Sequence, residues 1–218
     1  MEALALKPNP SYREEIGGRL TSLGDPRAFY ACLTCGMCTC GCIFGDEVSA
    51  YDPRRFVRQV VLGLKEQAVD ETFLWGCTLC NRCTMLCPMN IKVYELVRAV
   101  RGTVDAPGFI QTVVNDTLET GNQMRITTEE LLDTLEWMAE ELSAEVGKEI
   151  KIPVDVEGAE ILFIPHPREI KYYPQDIQRW TKIFWPAGIS WTISTKAFDV
   201  TNFGIFNGRD DEAIKIWY

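Results

Sequence analysis

The sequence predicts a mainly α-helical protein with an α/β segment towards its C-terminal end. Through residue 150 or so, apolar residues recur at helical spacing, and several stretches carry helix-capping residues. The composition changes at Lys151, after which two short apolar stretches flank one helical stretch. Two cysteine runs of similar spacing lie in the helical part, and they indicate what that part holds.

The chain begins with a stretch that contains Pro8, Pro10 and a Gly-Gly pair, which we expect to form an arm with at most one short helix. Between the cysteine runs, Asp52 suits an N-cap and Pro53 the first helical position of a helix. The further helices predicted are Glu71–Trp75, Val93–Arg101 with Gly102 as its C-cap, Ala106–Leu118, and one that follows the capping box Thr127–Glu130 and ends near Gly147.

The segment after Lys151 alternates strand, helix and strand before a last helix. We expect the first strand, Ala159–Pro165, to be buried, because it is mostly apolar. Two strands and one helix cannot cover both faces of a parallel sheet, so a partner or chain beyond Tyr218 is expected to complete it. The predicted elements are the strands Ala159–Pro165 and Ser190–Ser194 and the helices Tyr173–Gly188 and Asp210–Tyr218.

Composition and charge argue against several classes of function and location. A net charge of −9 argues against a nucleic-acid partner. No apolar run approaches the length of a membrane span, and the first residues lack the apolar stretch of a secretory signal. We therefore expect a protein of the reducing cytoplasm, either free or attached to the inner membrane through partners.

All nine cysteines lie between positions 32 and 87, in two runs. The second run, Cys77–Cys87, has the spacing C-x2-C-x2-C-x3-C and is followed by Pro88. The first run, Cys32–Cys42, has the same spacing if Cys40 is set aside. This spacing binds a cubane [4Fe–4S] cluster, whose compact multi-iron core needs four soft thiolates. We expect the chain to bind two such clusters and to pass electrons.

The fourth ligand of each cluster is expected to come from the other run, as in two-cluster ferredoxins. This exchange brings the clusters close together, which an electron relay requires. We favour Cys42 over Cys40 as the exchanged ligand, because Cys42 keeps the three-residue gap of the second run. The expected ligands are Cys32, Cys35, Cys38 and Cys87 for cluster 1, and Cys77, Cys80, Cys83 and Cys42 for cluster 2.

Zinc is the main alternative, because paired C-x2-C units also bind it. Three thiolates in each tight loop and the Cys-Pro ending favour clusters. Helices separate and follow the runs, so we expect an α-helical ferredoxin domain instead of the β-rich core of a small bacterial ferredoxin. Trp75, which precedes Cys77, either shields a cluster from water or packs in the core.

These features resemble the iron–sulfur subunits of heterodisulfide reductase and their relatives. Residues 31–102 resemble the two-cluster subunit of the C type, and residues 159–218 more weakly resemble the opening of the cysteine-rich domain of the B and D types. The order of the two parts is that of a D-type subunit. The resemblance implies an α-helical ferredoxin fold and electron transfer between redox subunits.

The chain departs from that family after Cys87, beyond which it has no cysteine. Active relatives carry a cysteine where this chain reads Pro165-His166-Pro167-Arg168 and a Cys-Cys-Gly where it reads Phe198–Gly204. We therefore interpret the last segment as an incomplete, degenerate cysteine-rich-like domain that packs or docks partners. His166 and Arg168 either face a cofactor or partner, or lie in an exposed loop, which we favour.

The expected function is that of a non-catalytic electron-transfer subunit in a multi-subunit oxidoreductase. Its expected partners are flavin or iron–sulfur subunits, a dehydrogenase, a hydrogenase or a membrane quinone module. Two alternatives stay open: the N-terminal part of a D-type catalytic subunit whose active half lies beyond residue 218, and a zinc-binding interaction module. The expected segments are an arm (1–27), the ferredoxin domain (28–105), a helical linker (106–150) and the partial α/β domain (151–218).

Overall fold

The computed structural model describes residues 6–20, 25–45, 51–196, 198–199 and 201–217. They form two compact units, each with its own hydrophobic core. Helices dominate the described residues, with one two-stranded sheet, which confirms the predicted fold class. Unit 1 comprises Met1–Pro107 and Ile205–Arg209, and unit 2 comprises Gly108–Gly204 and Asp210–Tyr218.

Unit 1 is built from short helices around a core that includes Phe56, Leu74 and Leu96. The cysteine runs lie on loops between these helices, so the core fixes the positions of the loops. The helices are α1 (Pro10–Arg19), α2 (Met37–Cys40), α3 (Pro53–Leu62), α4 (Lys65–Asp70), α5 (Thr72–Gly76), α6 (Arg82–Met85) and α7 (Val93–Arg101), with one 3-10 turn at Ala28–Ala31.

Helix α1 lies in the segment that we predicted to be an arm. Asn9 caps it by accepting a hydrogen bond from the Tyr12 N–H. Tyr12, Ile16 and Leu20 form a stripe at i, i+4 and i+8, and all three are buried in the core of unit 1. The segment therefore adds a packed helix to the core.

Helices α3 and α7 occur where the sequence predicts them. Asp52 caps α3 by accepting a hydrogen bond of 3.0 Å from the Arg55 N–H. Gly102 is the C-cap of α7, with φ −67°, so a left-handed cap does not explain the glycine. A Cβ at Gly102 would lie 2.5 Å from the Gly208 carbonyl oxygen. The close approach of residues 205–209 to the end of α7 is what requires a glycine here.

Unit 2 combines long helices with a small parallel sheet. The capping box of Thr127 and Glu130 is present, and α9 ends at Gly147, which is left-handed. The elements are α8 (Gly108–Thr120), α9 (Thr128–Val146), β1 (Ile161–Leu162), α10 (Pro167–Lys171), α11 (Gln175–Phe184), β2 (Trp191–Thr192) and α13 (Asp210–Trp217), while α12 (Phe203–Phe206) contributes residues to both units.

The sheet pairs Ile161 with Trp191 and Leu162 with Thr192 in parallel. The prediction of a buried first strand was wrong, because Ile161 and Leu162 are 38% and 51% exposed. The core of unit 2 instead receives Trp191 and Ile193 from the β2 side of the sheet. Strand β1 is an edge strand, and only its neighbour Phe163 packs against that core.

In the described ranges, no helix is long and apolar enough to cross a membrane.

Candidate metal centre

The two cysteine runs fold into the same local structure. Thr34 and Leu79, each two residues after the first cysteine of its run, both have φ 58°. Gly36 and Asn81, four residues after that cysteine, are left-handed as well, with φ 86° and 65°. The short helices α2 and α6 start directly after these two residues. The equal spacing of the cysteines is therefore an internal structural repeat.

The left-handed residues shape each run into a concave loop. Alternating left- and right-handed residues turn successive backbone N–H groups towards one point, which stabilises anions such as cluster sulfurs. The Leu79 N–H accordingly donates to Cys77 Sγ at 3.5 Å. A left-handed residue other than glycine costs about 1–3 kcal/mol, and most for a β-branched residue such as Thr34. Strained backbone of this kind persists where a site needs it.

Cavity 1 is small, with a volume of about 20 Å³, and lies in the first run. The rest of its wall is mainly aliphatic and includes Val57, Ile91 and Val93, together with Arg54 at its edge. An apolar wall keeps water away and lowers the local dielectric. The cysteines that line cavity 1 are Cys32, Cys35, Cys38 and Cys87.

Cavity 2 has the same volume, about 20 Å³, and lies in the second run. Its wall is more aromatic and more polar than that of cavity 1, with Tyr51, Phe73, Tyr94 and Arg82 among the lining residues. The cysteines that line cavity 2 are Cys42, Cys77, Cys80 and Cys83. Each cavity thus contains three thiols of one run and one thiol of the other.

Of the nine cysteines, all of which lie in the described part of the chain, Cys40 is the one that lines neither cavity. The internal repeat gives the reason. The Cys42 N–H bonds to the Thr39 carbonyl at 3.1 Å, and the Cys87 N–H bonds to the Thr84 carbonyl at 3.1 Å, so Cys42 and Cys87 are equivalent. Cys40 corresponds to Met85, and both side chains are exposed.

The two cavities are held beside each other by α2 and α6, which pack together. At the contact, Gly41 and Leu86 occupy equivalent positions of the repeat, and a Cβ on Gly41 would overlap Leu86 Cδ1. Cys38 of cavity 1 lies close enough to Cys83 of cavity 2 to contribute to the raised pKa of Cys83. Two clusters bound in these cavities would therefore be neighbours.

Burial keeps several of the thiols protonated in the absence of metal. Desolvation raises the pKa of Cys83 to about 12, and it also raises the pKa values of Cys38 and Cys77. A metal centre binds thiolates, so its binding must displace these protons. Because the unfolded chain has no preformed site, the free energy of metal binding contributes to the free energy of folding.

The donor set of both cavities fits a cubane cluster. Among the described residues, no three His, Cys, Asp or Glu side chains converge closely enough to hold a single metal ion. Four thiols line each cavity, and a multi-iron core requires four thiolates. Soft thiolates are also the donors that iron–sulfur clusters prefer.

Arg101 is a functional candidate that the sequence analysis missed. It is 0% exposed, and its Nη2 donates to the Cys77 carbonyl at 2.6 Å. Desolvation lowers the pKa of Arg101 to about 10, so the side chain stays charged at neutral pH. The sequence did indicate that Arg101 is buried, because it follows Val93 and Val97 at intervals of four residues, on the buried face of α7.

Trp75 lines neither cavity. Its ring packs against the core of unit 1 and lies 5.2 Å from the Arg101 guanidinium carbon. Of the two interpretations of this residue, core packing is the one that the contacts support.

The loop favoured for His166 and Arg168 is the start of helix α10. His166 caps this helix by accepting a hydrogen bond from the Arg168 N–H, and Glu169 completes a capping box. The His166 ring is half-buried, and its Nε2 lies 3.0 Å from Gln123 Nε2. The side chain of Arg168 is exposed. His166 thus serves as a helix cap.

Comparison with known proteins identifies the cysteine-bearing part. Residues 31–92 match a family described as a 4Fe-4S dicluster domain. A protein of Archaeoglobus profundus described as like the C-type subunit of heterodisulfide reductase is 28% identical over 98 residues, which are 45% of this chain and 52% of that protein. The C-type iron–sulfur subunit of the CoB--CoM heterodisulfide reductase of Methanopyrus kandleri is 29% identical over 128 residues, 56% of this chain and 66% of that protein.

A longer match covers more of this chain but less of the relative. The Hdr-like menaquinol oxidoreductase iron-sulfur subunit 2 of Archaeoglobus fulgidus is 26% identical over 162 residues, which are 67% of this chain and 29% of that protein. The chain thus spans about half the length of the first relative and less than a third of this one.

These matches confirm the predicted cofactors, two [4Fe–4S] clusters. Residues 31–92 therefore match the 4Fe-4S dicluster domain family, and this part of the chain is similar to the C-type subunits of heterodisulfide reductases.

Proposed function

We propose that this chain is an electron-transfer subunit of a multi-subunit oxidoreductase similar to heterodisulfide reductase. It relays single electrons between partner redox subunits and is not itself the catalytic centre. One observation carries the proposal: each of two neighbouring cavities is surrounded by four thiols in the crossed arrangement of a two-cluster ferredoxin.

The ligands follow from the same observation. Cys87 completes cavity 1 and Cys42 completes cavity 2, while the other three thiols of each cavity come from a single run. The proposed ligands are Cys32, Cys35, Cys38 and Cys87 for cluster 1, and Cys42, Cys77, Cys80 and Cys83 for cluster 2.

Bound clusters supply one-electron redox chemistry. The chain supplies the remaining requirements of a relay. Its thiolates hold the irons, and the N–H groups of the concave loops stabilise the sulfurs. The apolar residues of both cavities exclude water, and the packing of α2 on α6 keeps the two sites adjacent. Each of these contributions is made by a residue whose place in the fold is fixed.

The proposed partners are redox subunits on either side of the relay. The relatives' names describe subunits of heterodisulfide reductase and of a menaquinol oxidoreductase. For this chain we propose a flavin or iron–sulfur subunit, a dehydrogenase, a hydrogenase or a membrane quinone module as donor or acceptor. We also propose that the complex works in the cytoplasm, free or attached to the inner membrane through such partners.

Chemical analysis of anaerobically purified protein tests the proposal directly. Two cubanes correspond to about eight irons and about eight acid-labile sulfides per chain, with broad visible absorption that dithionite bleaches. A zinc-binding interaction module would instead be colourless, with zinc and no labile sulfide. Zinc in place of iron, or clusters that neither take up nor release electrons, would contradict the proposal.

A further inference from the structure

Arg101 is buried inside unit 1 beside one of the two cavities and away from solvent. Its three hydrogen bonds all go to backbone carbonyls: Nε to Leu74 at 2.8 Å, Nη1 to Phe206 at 2.8 Å and Nη2 to Cys77 at 2.6 Å. Its guanidinium carbon lies 4.0 Å from the centre of the Phe206 ring. The side chain is therefore held in one position, directly behind a cysteine that lines cavity 2.

Among the described residues, no carboxylate forms an ion pair with this arginine. The acidic groups that influence it are the thiol of Cys77 and the phenol of Tyr51. A buried charge without a counter-ion is costly, and carbonyl dipoles compensate it only in part. A negative group next to Cys77 would remove that cost.

Cavity 1 has no equivalent of this charge among the residues that line it in the described structure. The arginine at its edge, Arg54, is 48% exposed and lies 3.9 Å from the Asp52 carboxylate. Water and the nearby carboxylate screen the charge of Arg54. The rest of that cavity is mainly aliphatic, so the two cavities differ in the unscreened positive charge beside them.

We propose that Arg101 sets the order in which the two clusters are reduced, by favouring the reduced state of the cluster in cavity 2. The inference rests on the proposed function. Reduction adds one electron, supplied by a partner redox centre, and thus one negative charge, with no change in bonding and no proton taken up. A fixed positive charge in a low-dielectric interior stabilises that added charge and raises the reduction potential. Cavity 2 therefore holds the cluster of higher potential, on which an electron rests.

The test is a redox titration of the holoprotein, followed by electron paramagnetic resonance. Cys35→Ser and Cys80→Ser each alter one cluster and thereby assign the two signals. In the wild type the cluster of cavity 2 is expected to be reduced first. Arg101→Gln is expected to make that midpoint more negative and leave the other in place, while Arg101→Lys, which keeps the charge, shifts it less. Arg54→Gln is the control and is expected to shift neither midpoint comparably.

A second pair of variants leaves Arg101 intact, for the case in which its replacement prevents cluster loading. Phe206→Glu places a carboxylate beside the guanidinium, and Phe206→Gln is its neutral match. Phe206→Glu is expected to make the midpoint potential of the cavity 2 cluster more negative, whereas Phe206→Gln is not.

The possible outcomes separate the inference from the proposed function. Earlier reduction of the cavity 1 cluster in the wild type, equal movement of both midpoints in Arg101→Gln, or no difference between the two Phe206 variants would each overturn the role of Arg101. Those results all require two redox-active clusters. A wild-type protein without two clusters would contradict the proposed function itself.

Discussion

At the scale of single residues, position within the repeat decides which thiols can reach a cluster. Cys40 and Cys42 lie two residues apart in the first run, and both satisfy a loose form of the motif. The hydrogen-bonded turn makes Cys42 equivalent to Cys87, whereas Cys40 corresponds to Met85, which is 81% exposed. Local geometry thus favours one of two chemically identical candidates.

Cys42→Ser and Cys40→Ser form a matched pair that tests this assignment. We expect Cys42→Ser to lose or weaken the cluster of cavity 2, so that the iron content falls from about eight towards about four per chain. We expect Cys40→Ser to keep about eight irons, because its side chain lines neither cavity. Iron and labile-sulfide analysis measures both. The opposite pattern would make Cys40 the exchanged ligand.

At the scale of elements, the contact between α2 and α6 controls how closely the two cavities approach. The equivalent positions of the repeat meet there, and they cannot both carry a large side chain. Gly41 leaves the space that Leu86 fills, although its φ of −90° is accessible to any residue. The glycine is favoured by packing and not by backbone conformation.

Gly41→Ala is therefore expected to destabilise unit 1 by about 0.5–1 kcal/mol, because the new methyl group displaces the flexible, partly exposed tip of Leu86. The double variant with Leu86→Ala is expected to recover most of that loss. Gly18→Ala is the control: its Cβ meets nothing within 4 Å in helix α1, so it is expected to gain about 0.5–1 kcal/mol. Denaturant unfolding of the holoproteins measures these three variants and Leu86→Ala alone, which the comparison also needs. Additive effects of Gly41→Ala and Leu86→Ala would show that the contact is unimportant.

Elements with local signals were predictable from the sequence, and elements that depend on tertiary packing were not. Asp52 and the capping box at Thr127 fix helix starts through bonds within one turn, so α3 and α9 were found. The burial of α1 depends on a narrow stripe that a Gly-Gly pair obscures. The exposure of Ile161 depends on which strand forms the edge of the sheet, and no local pattern reports this.

The residues of the candidate site also fall into two groups, those that the sequence predicted and those that only the fold revealed. The spacing of the cysteines, together with the ligand exchange of two-cluster ferredoxins, led to the crossed ligand sets. The role suggested for Arg101 needed the fold, because its carbonyl partners at Leu74 and Phe206 lie 27 and 105 residues away in the chain. Only a three-dimensional arrangement brings these groups together.

At the scale of the whole molecule, the chain is divided into two units with separate cores. All of the cysteines that line the two cavities belong to unit 1. Cys83 is part of the core of unit 1, and several of the other cysteines pack against that core. The stability of unit 1 is therefore coupled to the clusters, whereas the described core of unit 2 contains no cluster ligand.

Removal of the clusters is accordingly expected to loosen one unit and not the other. Without metal, the buried thiols around Cys83 are protonated, and the strained loops at Thr34 and Leu79 lose the anion that offsets their cost. Oxidation followed by chelation under anaerobic conditions should raise amide hydrogen exchange in α3 and α7 by at least about tenfold, because these helices pack against the loops. Exchange in α9 and α11 is expected to stay as in the holoprotein, since their core is complete without metal. An equal loss of protection in α9 would show that the two units unfold as one, and unchanged protection in α7 would show that unit 1 is folded without its clusters.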